Sequence, residues 1–396
     1  MKILLDLIPL KRGGGVQVGM TLVEQIESSA GAGHEWLVVV TAGSAIDKRL
    51  SSATHCHIVR RVRNRLSARL IFEAVGWKRL VARHKPDIVY SQFGPGLPKV
   101  RVPAVVGSAY SNLYYPDVDF WGNWPLFHRG IYRLRDAFRL RRTLQADALV
   151  FETEILAERA KALFAWPGDR VAVIKPSPSP FVQPSKSHKE VAEKCSKLPH
   201  GFRVLLLSGW HPNKGLGMLP RIAAAVQAES GEKDYHFVTT LSEAHPASRK
   251  IREEAKALGV ARNISFFDSV EVSGCVELYR NSDAVLLLSV LESFSNNIVE
   301  AWVMRRPLVI TDAEWSRHTC GGGAEYVDRS DPRAIAVALV RLRRDHEYRR
   351  RLVESGTEML RQYPDPQQKF KEYVRFLEQV QMMGPRAAAG RIPVAE

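Results

Sequence analysis

At 396 residues the chain has room for two domains with separate hydrophobic cores, and its 45% hydrophobic and 25% charged content is that of an ordinary globular protein. Its four cysteines (Cys56, Cys195, Cys275, Cys320) are scattered with no C-x-x-C spacing, which argues against a disulfide framework or a zinc site and fits a reducing compartment. The net charge of +15 is uneven: residues 60–142 hold seventeen Lys/Arg against five Asp/Glu, a balance that attracts nucleic acid, a phosphorylated substrate or an acidic lipid surface.

The first ten residues, MKILLDLIPL, form a short apolar run closed by Pro9 and read as a first strand rather than a signal peptide. No stretch approaches the roughly 18 apolar residues of a spanning helix. Lys11-Arg12-Gly13-Gly14-Gly15 follows, and Val16, Met20, Val23 and Ile26 then keep helical spacing. A strand, a glycine loop and a helix make a backbone cradle for an anion, because glycine permits close approach. The loop is neither G-x-G-x-x-G nor a Walker sequence, which weakens nicotinamide and nucleoside-triphosphate readings. A plain strand-to-helix turn is the alternative.

Further strands are expected at residues 36–41, 87–91, 104–107 and 148–151. Helical patterns between them give an α/β first half around a parallel sheet. Tyr110, Ser111 and Asn112 fall at a strand's carboxyl end, where open α/β sheets place ligand-binding residues. Read as one helix, residues 61–84 put Arg61, Arg69, Arg79 and Arg83 within about 40° of Arg65, with Phe72 in the same stripe. Such a face suits an anionic lipid surface, and a solvated helix face is the alternative. A second basic stretch adds Arg129, Arg133, Arg139 and Arg142 beside Trp121, Trp124 and Phe127.

Pro176, Pro178, Pro180 and Pro184 crowd a segment that cannot continue a helix or a central strand, so residues 177–199 are expected as a linker with a polar surface. A second domain restarts at Phe202, with a strand at 204–207 and then Ser208-Gly209-Trp210-His211-Pro212-Asn213-Lys214-Gly215. More strands are expected at 235–240, 264–267 and 284–289. Residues 286–312 read LLLSVLESFSNNIVEAWVMRRPLVITD: strand, small-polar loop, helix and strand. First-turn N–H groups of such a helix lack intrahelical partners and suit an anion. A carboxylate beside them suits a ribose diol, whose two hydroxyls it accepts together. Glu292 and Glu300 stand there with seven residues between them. Residues 384–396 lack apolar periodicity, and no internal repeat is present.

The spacing of Glu292 and Glu300, with Ser293-Phe294-Ser295 after the first, resembles the E-x7-E motif of family 4 retaining glycosyltransferases. Residues 301–312 resemble that family's next helix, turn and strand. Lys214-Gly215 resembles the end of its G-R-…-K-G segment, and the resemblance continues through Asn281-Ser282-Asp283-Ala284, Cys320-Gly321-Gly322-Gly323 and Asp331-Pro332. Two departures stand out: serines at 293 and 295 where the family has glycine, and Trp210 or His211 where it has arginine.

The resemblance implies a GT-B fold, two Rossmann-like domains facing an interdomain cleft. Residues 1–176 would form the acceptor-binding domain and 200–365 the nucleotide-sugar-binding domain. Residues 366–382 would form a helix returning to the first, and 383–396 a disordered tail. It implies transfer of a sugar from a nucleotide-diphosphate sugar to a glycan or polyprenyl-linked acceptor, with retention, in cell-surface polysaccharide or lipopolysaccharide synthesis. The implied catalytic residues are Glu292, Lys214 and Asn112. Substrate would be held by Gly14 and Gly15, by Gly209, Trp210 and His211, by Ser293, Phe294, Ser295, Asn296 and Asn297, and by Glu300 on the ribose. His211 substitutes for the missing arginine only if protonated. No metal, no cofactor and no nucleic-acid partner are expected, and the location implied is cytoplasmic, at the inner face of a membrane. A nucleotide-sugar epimerase of the same fold, a basic nucleic-acid-binding protein and an inactive scaffold are the rival readings.

Overall fold

A computed structural model describes residues 1–11 and 13–386 of the chain. These divide into two compact units, Met1–Pro176 with Pro364–Glu396, and Ser177–Tyr363. Arg12 of the glycine loop and residues 387–396 of the expected tail lie outside the described residues.

Unit 1 contains β1 (Lys2–Asp6), β2 (Glu35–Thr41), β3 (Cys56–Val62), β4 (Ile88–Ser91), β5 (Ala104–Gly107), β6 (Ala148–Phe151) and β7 (Val171–Val173). They form one sheet in the order β3-β2-β1-β4-β5-β6-β7, every pairing parallel. Central strands such as β1 and β4 are nearly continuous apolar runs because both their faces are covered. From β1 the chain winds outward to β3, then returns to β4 beside β1 and winds the other way, so the direction reverses between β1 and β4.

Two edge strands were not anticipated. β3 reads CHIVRRV, with Arg60 and Arg61 exposed, a charge load that only an edge tolerates. β7 has three residues, too few for a period to register.

The basic stripe expected over residues 61–84 does not form as one face. Arg61 lies on β3 and bonds Asp47 through Nε at 2.7 Å. Arg65 is only the residue before a short helix, Leu66–Ile71, and Arg69 pairs with Glu73 at 2.8 Å. A π-helical turn, Phe72–Gly76, then shifts the phase of everything after it, so Arg79 and Arg83 on Trp77–His84 leave the stripe. Gly76 makes the turn possible: a Cβ there would stand 2.2 Å from the Phe72 ring. Phe72 is buried against Trp77, ring centroids 4.8 Å apart, instead of facing solvent among arginines.

The last helix, Pro366–Met383, starts with a capping box between Asp365 and Gln368 and belongs to unit 1. Phe370, Tyr373, Phe376, Leu377 and Val380 are buried in one cluster with Ile3, Leu5, Trp36 and Tyr90. At about 1.5–3 kcal/mol per buried large side chain, this face contributes on the order of 10 kcal/mol to unit 1. Residues 384–386, expected as disordered, are held: Gly384 O accepts from Arg170 at 2.9 Å, and Arg386 lies 4.0 Å over the Trp166 ring.

Unit 2 contains β8 (Phe202–Leu206), β9 (Tyr235–Thr239), β10 (Ile264–Phe266), β11 (Ala284–Leu287), β12 (Leu308–Thr311) and β13 (Glu325–Val327), in the order β10-β9-β8-β11-β12-β13. All pairings are again parallel, and the direction reverses between β8 and β11. The expected linker is structured. Lys189–Cys195 is a helix whose Val191 and Cys195 are buried, and the His188 N–H bonds Glu277 at 2.9 Å. Polar residues face outward there, and two apolar ones suffice to seat the helix.

Candidate functional site

In open α/β sheets, ligands bind outside the carboxyl ends of the strands where winding direction reverses. Unit 2 places two charged residues there. The turn after β8 ends in the short 3₁₀ helix Pro212–Lys214, and the loop after β11 carries Glu292. The Lys214 ammonium bonds Glu292 Oε1, and the Ser289 hydroxyl donates to the same oxygen at 2.5 Å. Residues 78 positions apart thus meet because their strands are neighbours. The pair is partly open, with side-chain exposures of 30% for Lys214 and 13% for Glu292.

The backbone around this pair is tightly set. Gly215 has φ +74°, and a Cβ there would stand 2.7 Å from Leu288 Cβ and 3.0 Å from its carbonyl oxygen. Glycine is required on both counts. The Val290 N–H donates to Asn213 O at 2.8 Å, locking the two loops together. Arg329 Nε donates to Leu288 O at 3.0 Å, and Trp315 Nε1 to Val290 O at 3.1 Å.

Glu300 stands on the helix Asn296–Val303 and is buried, 3% exposed. One of its oxygens accepts from the Tyr279 hydroxyl at 2.8 Å. Burial, and then the Glu300 carboxylate beside it, push the Tyr279 phenol well above its ordinary range, so it remains a donor. The same surroundings push the Cys275 thiol up to about 12. Asn297 is tied down at both ends, donating to Leu207 O at 2.8 Å and accepting from Tyr279 at 3.3 Å. It anchors the helix start to the end of β8. Ser295 precedes the helix and is buried, and its carbonyl takes the Ile298 N–H at 3.0 Å, so that N–H is not open to a ligand. Ser293 and Asn296 are half-buried in the same loop, and Phe294 packs on Tyr363, ring centroids 5.8 Å apart.

In the turn after β8, Gly209 has open space around its Cα. The Trp210 ring is 38% exposed and lies 5.9 Å from that of His245. His211 caps the 3₁₀ turn: its Nδ1 accepts the Asn213 N–H at 3.2 Å.

Among the unit 1 candidates, Gly14 and Gly15 open the helix Gly14–Ser28 behind Gly13, whose φ of +66° and ψ of −153° suit glycine alone. Asn112 points elsewhere: its amide donates to Asp136 at 2.7 Å, as does the Trp121 indole at 2.6 Å, and Arg139 bonds the other oxygen at 3.0 Å. Asn112 therefore braces a neighbouring helix. The direction reversal of unit 1 holds Asp6 and Ser91 at the ends of β1 and β4, hydroxyl to carboxyl 2.8 Å. Burial drives Asp6 up to about 6, opposed in part by the bonds from Ser91 and from the Ile8 N–H.

Ser289, Tyr279, Arg329 and Asp6 escaped the sequence reading. Ser289 is the polar end of the apolar run before Glu292, a visible signal. Tyr279 lies 21 residues ahead of Glu300 with no spacing rule to link them. Against the expectation of no D-x-D triplet, Asp117-Val118-Asp119 has that spacing, and Arg159 forks onto Asp117 at 2.7 and 3.3 Å. Among the described residues, no group of three or more His, Cys, Asp or Glu is arranged to hold a metal ion.

With this geometry in hand, residues 201–345 match the family model described as glycosyl transferases group 1. Unit 2 carries a group 1 glycosyltransferase domain. No curated protein matches the chain by sequence. Solved structures resemble it over nearly its whole length. A glycosyltransferase from Rickettsia africae is 16% identical, with 96% of this chain and 98% of that one covered and a TM-score of 0.70. The Anabaena protein HepE, solved in complex with UDP and glucose, is 16% identical over 96% and 99%, with a TM-score of 0.69. WaaG, a glycosyltransferase involved in lipopolysaccharide biosynthesis, is 16% identical over 95% and 99%, with a TM-score of 0.67. The two parallel-sheet units have the GT-B fold. In the glycosyltransferase domain, Lys214, Glu292 and Glu300 all lie at or beside the reversal between β8 and β11.

Proposed function

We propose that this chain transfers a sugar from a nucleotide-diphosphate sugar to a glycan or lipid-linked acceptor, with unit 2 binding the donor and unit 1 the acceptor. The observation that carries the reading is the Lys214–Glu292 pair at the sheet reversal of a group 1 glycosyltransferase domain. Cleavage of the donor's sugar–phosphate bond leaves negative charge on the departing diphosphate, and an ammonium placed for that charge lowers the barrier. Lys214 supplies it. Before donor arrives, Glu292 and the ammonium satisfy one another; the diphosphate takes over the ammonium, and Glu292 turns to the sugar. Glu300, held by Tyr279, accepts from the ribose hydroxyls. The Anabaena neighbour's UDP and glucose, and the lipopolysaccharide role of WaaG, favour a UDP-sugar donor and a cell-surface polysaccharide or lipopolysaccharide product, formed with retention on the cytoplasmic side of a membrane.

A thermal-shift screen over UDP-, GDP-, ADP- and dTDP-sugars, followed by product analysis with the donor that binds, tests this. The expected result is stabilisation by one nucleotide class and sugar transfer only when acceptor is present. An altered free nucleotide sugar from donor alone means an epimerase instead, and no shift with any donor means a scaffold.

A further inference from the structure

The helix Leu126–Leu144 of unit 1 turns a row of large apolar side chains away from the protein. Phe127, Ile131, Leu134 and Phe138 are 77%, 47%, 75% and 45% exposed. Their spacing of four, three and four residues aligns them on one stripe. Asp136 and Thr143, the helix's buried residues, lie on the opposite side. Asp136 fixes that orientation through its bonds from Asn112, Trp121 and Arg139. One exposed phenylalanine is unremarkable on a soluble surface, whereas four aligned residues form a patch that marks a partner.

The charge on this helix says which partner. It carries six arginines, Arg129, Arg133, Arg135, Arg139, Arg141 and Arg142, against one acid, Asp136. Arg133, Arg135 and Arg141 are exposed, and the Arg142 guanidinium lies 5.1 Å over the Phe138 ring. A nucleic acid would satisfy the arginines and leave the apolar row in water. A second copy of the chain would cover the row and bring two arginine sets together, like charge on like. An anionic bilayer accepts both features at once: apolar side chains enter the boundary between headgroups and acyl chains while guanidinia reach the phosphates.

We propose that this helix lies in the surface of an anionic phospholipid bilayer, with Phe127, Ile131, Leu134 and Phe138 inserted and Arg133 and Arg141 on the headgroups. No helix among the described residues is long and apolar enough to cross a membrane, so the contact is peripheral. The basic face expected at residues 61–84 is replaced by one the sequence showed only in part. This surface is independent of the donor-site reading, because its readout needs no activity.

The test is co-sedimentation of the full chain with vesicles of phosphatidylcholine alone, and of phosphatidylcholine with about one quarter phosphatidylglycerol. Binding to the anionic vesicles only, weakened by salt, is expected. Phe127→Ser with Leu134→Ser lowers the partition coefficient about tenfold or more. Arg133→Glu with Arg141→Glu lowers it about tenfold on anionic vesicles, and Arg133→Lys with Arg141→Lys restores binding. All four side chains are exposed, and unchanged melting by circular dichroism verifies that the variants fold. Wild-type protein left in the supernatant, or a serine variant that sediments like wild type, overturns the proposal. So does a dimer in light scattering that the serine pair dissolves, or salt-sensitive oligonucleotide binding lost only in the glutamate pair.

Discussion

At the reversal of unit 2's sheet an ammonium and a carboxylate meet within reach of solvent, whereas at the reversal of unit 1's sheet a carboxyl is sealed in with a serine hydroxyl. The two places are topologically alike, with a strand that winds outward and a neighbour that winds back. Their chemistry differs because of what each strand end delivers. Asp6 is fully buried with only neutral groups bonded to it, and burial favours its protonated form. Such a group holds loops in place and has nothing to exchange with a ligand. The Lys214–Glu292 pair is partly wet and so within reach of an entering anion. The same position in the fold is thus sealed in one unit and open to solvent in the other.

Removing the charge from the open site is the strongest way to break this contrast. Lys214→Ala is expected to lower kcat/KM by roughly 100- to 1,000-fold, the loss typical of one charge-stabilising donor. Steady-state kinetics near wild type would show that the pair is only structural. The next effect lies in the sealed site and concerns stability. The folded value for Asp6, about 6, is above its ordinary 3.8. The folded state thus holds a proton that the unfolded state releases. The stabilisation is complete below about pH 4 and is lost as pH rises through about 6, the loss amounting to roughly 3 kcal/mol by pH 7. Asp6→Asn should flatten that slope in denaturant titrations of unit 1 at pH 4, 5 and 7, while leaving donor binding unchanged. Glu300→Gln keeps an acceptor for Tyr279 and removes the charge offered to the ribose. A rise in donor KM of about tenfold, with kcat little changed, is expected for a lost charge-assisted bond. Tyr279→Phe should act in the same direction by roughly fivefold, because it loosens Glu300 without removing it. If it proved as damaging as Lys214→Ala, Tyr279 would itself belong to the reacting centre.

How far these features were legible depended on the range of the signal. Apolar runs such as residues 284–289 and 307–311 marked central strands directly, since strands covered on both faces are built mainly of apolar residues. Edge strands β3 and β7 gave no such run. The helix pattern at residues 61–84 broke for a local reason, the π turn at Gly76, which a wheel with a fixed period cannot register. Glu292 and Glu300 were visible because their contact with the site is set within one loop and helix. The pairing of Lys214 with Glu292 spans 78 residues and follows from strand order, which their spacing does not encode. Asn112 follows the end of β5, and its side chain turns to Asp136, a partner 24 residues on that its position in the sequence does not reveal.

The helix Pro366–Met383 has a consequence for how the protein is made. Unit 2 is one uninterrupted stretch, Ser177–Tyr363, whereas unit 1 lacks Phe370, Tyr373, Phe376, Leu377 and Val380 until all of unit 2 has been synthesised. At about 5–20 residues per second, roughly 10–40 s pass between synthesis of β7 and delivery of that apolar face. Throughout that interval the groove in unit 1 that will take Phe370 and Leu377 is bare on the nascent chain while unit 2 folds behind it. A chain truncated after Tyr363 would therefore hold every residue of the second unit and an unfinished first, an exposed binding surface for chaperones.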